Sequence, residues 1–86
     1  MTATDDIASR LTSLLSDYIK AYVADKTAIE LSSNTDLTVD LELESIQIME
    51  YVVEIEDHYD ISIDLESLSN AKTISDLASI VARELS

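Results

Sequence analysis

Few residues in this chain of 86 could do covalent chemistry. It has no Cys, so it offers no thiol nucleophile, disulfide or Cys-ligated metal of its own, and any thiol chemistry must come from an attached group. The hydroxyl to consider is Ser45, in the acidic run Asp40-Leu41-Glu42-Leu43-Glu44-Ser45-Ile46. A serine nucleophile needs a base, and the single histidine, His58, lies thirteen positions further along the same predicted helix. At the helical rise that is about 20 Å along the axis, and on another face. A Gly-x-Ser-x-Gly elbow is excluded because the chain has no Gly. Asn34-Thr35-Asp36-Leu37-Thr38-Val39-Asp40 resembles a calcium loop only in part: Val39 takes the place of the mid-loop Gly, and Ser45 that of the closing Glu. One His among scattered carboxylates is weak ground for a metal site. The acids read as surface residues without a cleft to perturb them. Catalysis by the chain itself is not expected.

The charge is informative in its distribution. Asp and Glu outnumber Lys and Arg 18 to 5, for a net charge of -13, and between Thr27 and Ala71 there are twelve acids and no Lys or Arg. Such a surface repels nucleic acid and anionic membranes and attracts proteins with Lys/Arg patches. Apolar residues make up 47% of the chain, enough for one modest core and one domain over residues 1–86. The first residues lack a basic and then an apolar leader segment, and no apolar run reaches membrane-spanning length. The expectation is a soluble, cytoplasmic monomer.

The elements that must position Ser45 can be read from periodicity. Thr2 or Thr4 can cap a first helix with Asp5 and Asp6 in its first turn, and Ile7, Leu11, Leu14, Leu15, Tyr18 and Tyr22 give its buried stripe to about Val23. A long loop to Glu44 follows, with Ile29, Leu31, Leu37, Val39, Leu41 and Leu43 pinning it across the bundle. The second helix runs from Ser45 to about Tyr59. At about 100° per residue, Ile48, Tyr51, Val52, Ile55 and Tyr59 form its core face, while Ile46, Met49 and Val53 gather on the other side beside Glu50, Glu56 and Asp57. Either both faces are buried, or the second is an apolar patch with an acidic rim offered to a partner; in so small a domain the second is favoured. Asp60-Ile61-Ser62-Ile63-Asp64-Leu65 alternates but has no strand to pair with, so it reads as an extended linker into a short helix capped by Asp64 or Ser62. Thr73-Ile74-Ser75-Asp76 has the form of a capping box before a last helix striped by Ile74, Leu77, Ile80, Val81 and Leu85. The expected fold is all-α, a small antiparallel-type bundle of three longer helices and one short one.

On this reading Ser45 is the N-cap of the second helix, where free backbone N–H groups and the helix dipole favour an anion. Capping alone would account for a serine there.

The segment Asp36 to Ile46 closely resembles the attachment region of acyl carrier proteins, in which Asp-Leu-Gly and then Asp-Ser-Leu lead into the second helix. Tyr59-Asp60-Ile61-Ser62-Ile63 is similar to that family's Phe-Gly-Ile-x-Ile, and Thr73-Ile74-Ser75-Asp76-Leu77 to its Thr-Val-x-Asp-Leu, so the resemblance covers in effect the whole chain. It implies that Ser45 carries 4'-phosphopantetheine, added from coenzyme A by a phosphopantetheinyl transferase, and that the arm's thiol holds acyl groups for enzymes of fatty acid, polyketide or related lipid biosynthesis. It further implies that Glu44, Ile46, Met49, Glu50, Val53, Glu56 and Asp57 form a recognition surface for basic patches on those enzymes. Glu42 and Asp60 replace family glycines, Glu44 replaces Asp and Ile46 replaces Leu, departures that suggest a specialised stand-alone carrier. Asp tolerates the left-handed backbone commonly found at position 60 better than most residues. An aminoacyl or peptidyl carrier is the alternative, opposed by an acidic Leu43-Glu44-Ser45 where those modules tend to have Gly-Gly-x-Ser. A carrier-like adaptor without the arm is another.

Overall fold

The computed structural model describes residues 3–23, 25 and 30–85, and the side chains of residues 3–5 are not among the described groups. Among the described residues four helices follow in order: α1 (Ala3–Tyr22), α2 (Ser45–Tyr59), α3 (Leu65–Ser69) and α4 (Ile74–Leu85). No strand occurs among the described residues, where a single isolated antiparallel bridge joins Asp36 to Thr73. The protein is thus the expected all-α bundle, with a long loop between α1 and α2.

Helix α1 is the spine against which α4 and α2 pack. Its Ile7, Leu11, Leu15 and Tyr18 are buried as the spacing predicts, with Leu14 half-buried. Tyr22 departs from the expected stripe: it is 71% exposed, and Ile19 and Val23 take the buried places near the helix end. Thr4 lies inside the helix, so it is not the cap, and Thr2 lies outside the described residues. From α4, Ile74, Leu77, Ala78, Ile80 and Val81 are buried, whereas Leu85 is exposed at the end of its stripe. Burying each large aliphatic side chain is worth about 1.5–3 kcal/mol against leaving it in water. This apolar contact is what holds α4 to α1.

Helix α2 is fastened to α1 by two tyrosines. Tyr51 is fully buried and donates its hydroxyl to the Leu11 carbonyl oxygen at 2.7 Å, which satisfies a phenol that would otherwise be stranded in the core. Burial raises its pKa well above the ordinary tyrosine value. Tyr18 donates to Glu50 Oε1 at 2.7 Å, and its pKa is pushed up to about 12, first by burial and then by that hydrogen bond. At the far end of α2, Asp60 adopts the left-handed conformation (φ 55°, ψ 51°) foreseen for it, and the N–H groups of Asp60 and Ile61 both donate to the Glu56 carbonyl. Residues 61–64 form neither helix nor strand, and Asp64, with an extended backbone, is the N-cap of α3.

Candidate functional site

The site is built by the loop that ends at Ser45. Asp36 organises its first turn: Oδ1 accepts from Thr38 N–H (2.8 Å), Thr38 Oγ1 (2.8 Å) and Val39 N–H (2.9 Å). These donors, the Val39 N–H first and then the Thr38 hydroxyl, hold the Asp36 pKa below its usual value. Asp40 closes the turn, accepting the Asp36 N–H at 2.9 Å. The loop is then clipped to the start of α4 by Leu37 N–H to the Lys72 carbonyl (2.9 Å) and Ser75 N–H to the Ser33 carbonyl (2.8 Å). Leu37, Leu41 and Leu43 are buried under it as expected, but Val39 is exposed, and Ile29 lies outside the described residues.

Glu42 has φ 53°, in the left-handed region. For a residue with a Cβ this costs roughly 1–2 kcal/mol. Periodicity gives no hint of it. The signal available in the sequence was that Glu42 occupies a position where the resembled family has Gly.

The start of α2 corrects one expectation. Ser45 is the first residue of the helix, and the N-cap is Glu44 (φ -77°, ψ 160°). Gln47, three residues after the cap, reaches back so that its Oε1 accepts the Glu44 N–H at 2.8 Å. Glu44 and Gln47 thus provide one half of a capping box, and the serine is relieved of that duty. Ser45 is exposed, and no hydrogen bond among the described residues uses its hydroxyl. Within the helix the first turn of α2 holds no acidic side chain, and the carboxylate at this end is that of the N-cap, Glu44.

Ser45 also lines a groove of about 460 Å³, together with Thr38, Ile48, Met49, Leu65, Leu68 and Lys72. A flexible group esterified to Ser45 would have an apolar wall to lie against, and its phosphate would sit by the N-terminal N–H groups of α2. The residues present therefore fit a phosphopantetheine arm at Ser45.

The outer face of α2 has the predicted arrangement. Ile46 is 65% exposed and Val53 49%, and Met49 is exposed between them; Glu44, Glu50 and Asp57 are exposed and Glu56 half-exposed. Two of these acids have internal work that the sequence did not show: Glu50 holds Tyr18, and Glu56 Oε2 accepts the Ile63 N–H at 2.7 Å, tying down the linker to α3. His58 is exposed at the other end of α2, edge-on to the Tyr59 ring with centroids 4.9 Å apart. Thirteen residues apart on one helix, His58 does not reach the Ser45 hydroxyl.

A small helical bundle that offers an unengaged serine at the head of its second helix, beside an apolar groove, has the form of a carrier domain. Residues 17–81, about three quarters of the chain, match the family model described as a phosphopantetheine attachment site. The chain is also similar to a protein named probable acyl carrier protein from Caulobacter vibrioides (strain NA1000 / CB15N), with 33% identity over 54 residues. That alignment covers 63% of each protein, so the chain spans less than two thirds of the relative's length. The chain belongs to the acyl carrier protein family, which carries covalently bound 4'-phosphopantetheine. Among the described residues no helix is long and apolar enough to cross a membrane.

Proposed function

We propose that the chain works as one non-catalytic carrier domain whose Ser45 Oγ bears the 4'-phosphopantetheine arm, delivering acyl groups to enzymes of fatty acid, polyketide or related lipid biosynthesis. The observation that carries this reading is the state of Ser45: exposed, first in α2, and excused from capping by Glu44 and Gln47. On attachment, a bond forms between Ser45 Oγ and the phosphorus of coenzyme A's pantetheine phosphate. The pyrophosphate P–O bond breaks, 3',5'-adenosine diphosphate leaves, and the hydroxyl proton passes to the transferase. When bound, the arm supplies the thiol that the chain lacks, and acyl groups ride on it as thioesters. The chain's own part is to hold Ser45 on a rigid helix start and to offer the groove. Incubation with coenzyme A and a broad-specificity phosphopantetheinyl transferase should add the mass of one arm, mapped to Ser45 and lost in Ser45→Ala. Retention of the apo mass with several transferases would overturn the proposal.

Partner enzymes, on the same reading, dock on Glu44, Ile46, Met49, Glu50, Val53, Glu56 and Asp57. An apolar centre rimmed by charge suits a transient interface steered by opposite charge. Asp57→Lys is a cleaner test than Glu50→Lys, which also breaks the bond to Tyr18. Its association rate with a transferase should fall several-fold at low salt and approach wild type at high salt, as screening predicts. A loss indifferent to salt would count against steering.

A further inference from the structure

Lys72 is the one basic side chain among the residues lining the groove beside Ser45. It is also the first Lys or Arg after the uncharged-to-acidic stretch from Thr27 to Ala71, so the face that presents Ser45 is otherwise anionic. Its main chain is fixed on both sides: the Lys72 N–H donates to Asp76 Oδ2 at 2.9 Å, and its carbonyl accepts from Leu37 N–H at 2.9 Å. The root of the side chain is therefore anchored to the loop that runs into α2, while the side chain itself is exposed. Its charge is felt by Asp36, but Asp36 Oδ1 already takes three hydrogen bonds from Thr38 and Val39. Among the described residues no hydrogen bond commits the Lys72 ammonium to a carboxylate, and Lys72 lines the same groove as the serine.

Resting on the carrier reading above, we propose that Lys72 pairs with the phosphodiester of the arm on Ser45 and thereby sets where the arm begins. The chemistry is complementary. Attachment adds a negative charge to a chain whose net charge is already -13, at a position next to Glu44. A cation lining the same groove offsets that repulsion. It also draws the near end of the arm toward Ile48, Leu65 and Leu68, which line the same groove.

The test compares the melting temperatures of apo and holo protein for wild type, Lys72→Gln, Lys72→Arg and Lys20→Gln, each loaded with a transferase and coenzyme A and verified by mass. Lys72 is exposed, as is Lys20 on α1, and each variant's apo form serves as its own reference. At low salt the holo-minus-apo difference should be about 1–5 °C lower in Lys72→Gln than in wild type, the range expected of an exposed charge pair in a domain this small. Lys72→Arg should restore it, Lys20→Gln should leave it unchanged, and salt should erase the contrast. An equal difference in wild type and Lys72→Gln overturns the pairing, and so does an equal loss in Lys20→Gln, which would show a global charge effect. If wild type takes up no arm, the carrier reading falls and this inference with it; a loaded arm indifferent to Lys72 overturns the pairing alone.

Discussion

Two helices in this protein begin with a hydroxyl residue near a capping box, and they use it in opposite ways. At the start of α4, Thr73 Oγ1 accepts the Asp76 N–H at 3.1 Å, and Asp76 Oδ2 accepts the N–H groups of Thr73 (3.1 Å) and Lys72 (2.9 Å). The hydroxyl is consumed in holding the backbone. At the start of α2, the neighbours on either side take over: Glu44 is the cap, Gln47 satisfies its N–H, and Ser45 stands one position inside the helix with its hydroxyl unengaged. The difference lies in register. A shift of one residue moves a hydroxyl from the N-cap, where it is needed, to the first helical position, where it is accessible and chemically available.

The contrast is broken or sharpened first by removing each hydroxyl. Thr73→Ala should cost about 1 kcal/mol of stability, the usual loss for an N-cap hydroxyl. Ser45→Ala should change stability by less than about 0.5 kcal/mol, as expected for an exposed residue that makes no such bond, yet lose the capacity to carry the arm. Urea denaturation of the two apo variants decides it. If Ser45→Ala proves as costly as Thr73→Ala, the serine is a cap after all.

Much of this was legible in the chain. The bounds of α2, its buried Tyr51, Val52 and Ile55, and its exposed Ile46, Met49 and Val53 follow from one period of 3.6 applied to fifteen residues. The box at Thr73 was legible because its two partners are three residues apart and local. Ser45 was read as the N-cap, one position too early, since Glu44 is a poorer cap by type than Ser and only the backbone at residue 44 shows which of them takes the part. The internal bonds of Glu50 and Glu56 were not legible, because Tyr18 and Ile63 reach them through the fold. Tyr22 was misread as buried because a stripe at the end of a helix outlasts the surface that covers it.

The loop feeding α2 offers a smaller handle on the same comparison. Glu42 is held at positive φ just ahead of the cap, whereas nothing of this kind precedes α4 among the described residues. Glu42→Gly removes the Cβ clash but makes the unfolded chain more flexible, so the net gain should be about 0.5–1 kcal/mol. A destabilised Glu42→Gly would show that the Glu42 side chain contributes more than its backbone strain costs. Thermal melts of the apo proteins read this directly.

Acid should act on the start of α4 and on the loop feeding α2 through different carboxylates, with the smallest effect of the three because the groups are solvated. The Asp76 pKa is lowered, first by the Lys72 N–H and then by the Thr73 N–H, and that of Asp36 by the Val39 N–H and the Thr38 hydroxyl. A depressed folded-state pKa means that the unfolded chain binds the proton more readily. The contribution of each group is therefore fully present above the unfolded value of 3.8 and is lost as pH falls through the lower folded-state value. Between neutrality and about pH 5 the opposite trend should prevail, since protonation begins to relieve the repulsion of a chain at -13. Stability should rise gently on acidification and then turn down below pH 3.8. Asp76→Asn should shallow the final descent, and Thr73→Ala should shallow it less, because the Lys72 N–H still reaches Asp76 when the threonine hydroxyl is gone. Ser45→Ala should leave the curve as it is. An acid limb unchanged by Asp76→Asn would mean that the cap of α4 does not depend on the carboxylate's charge.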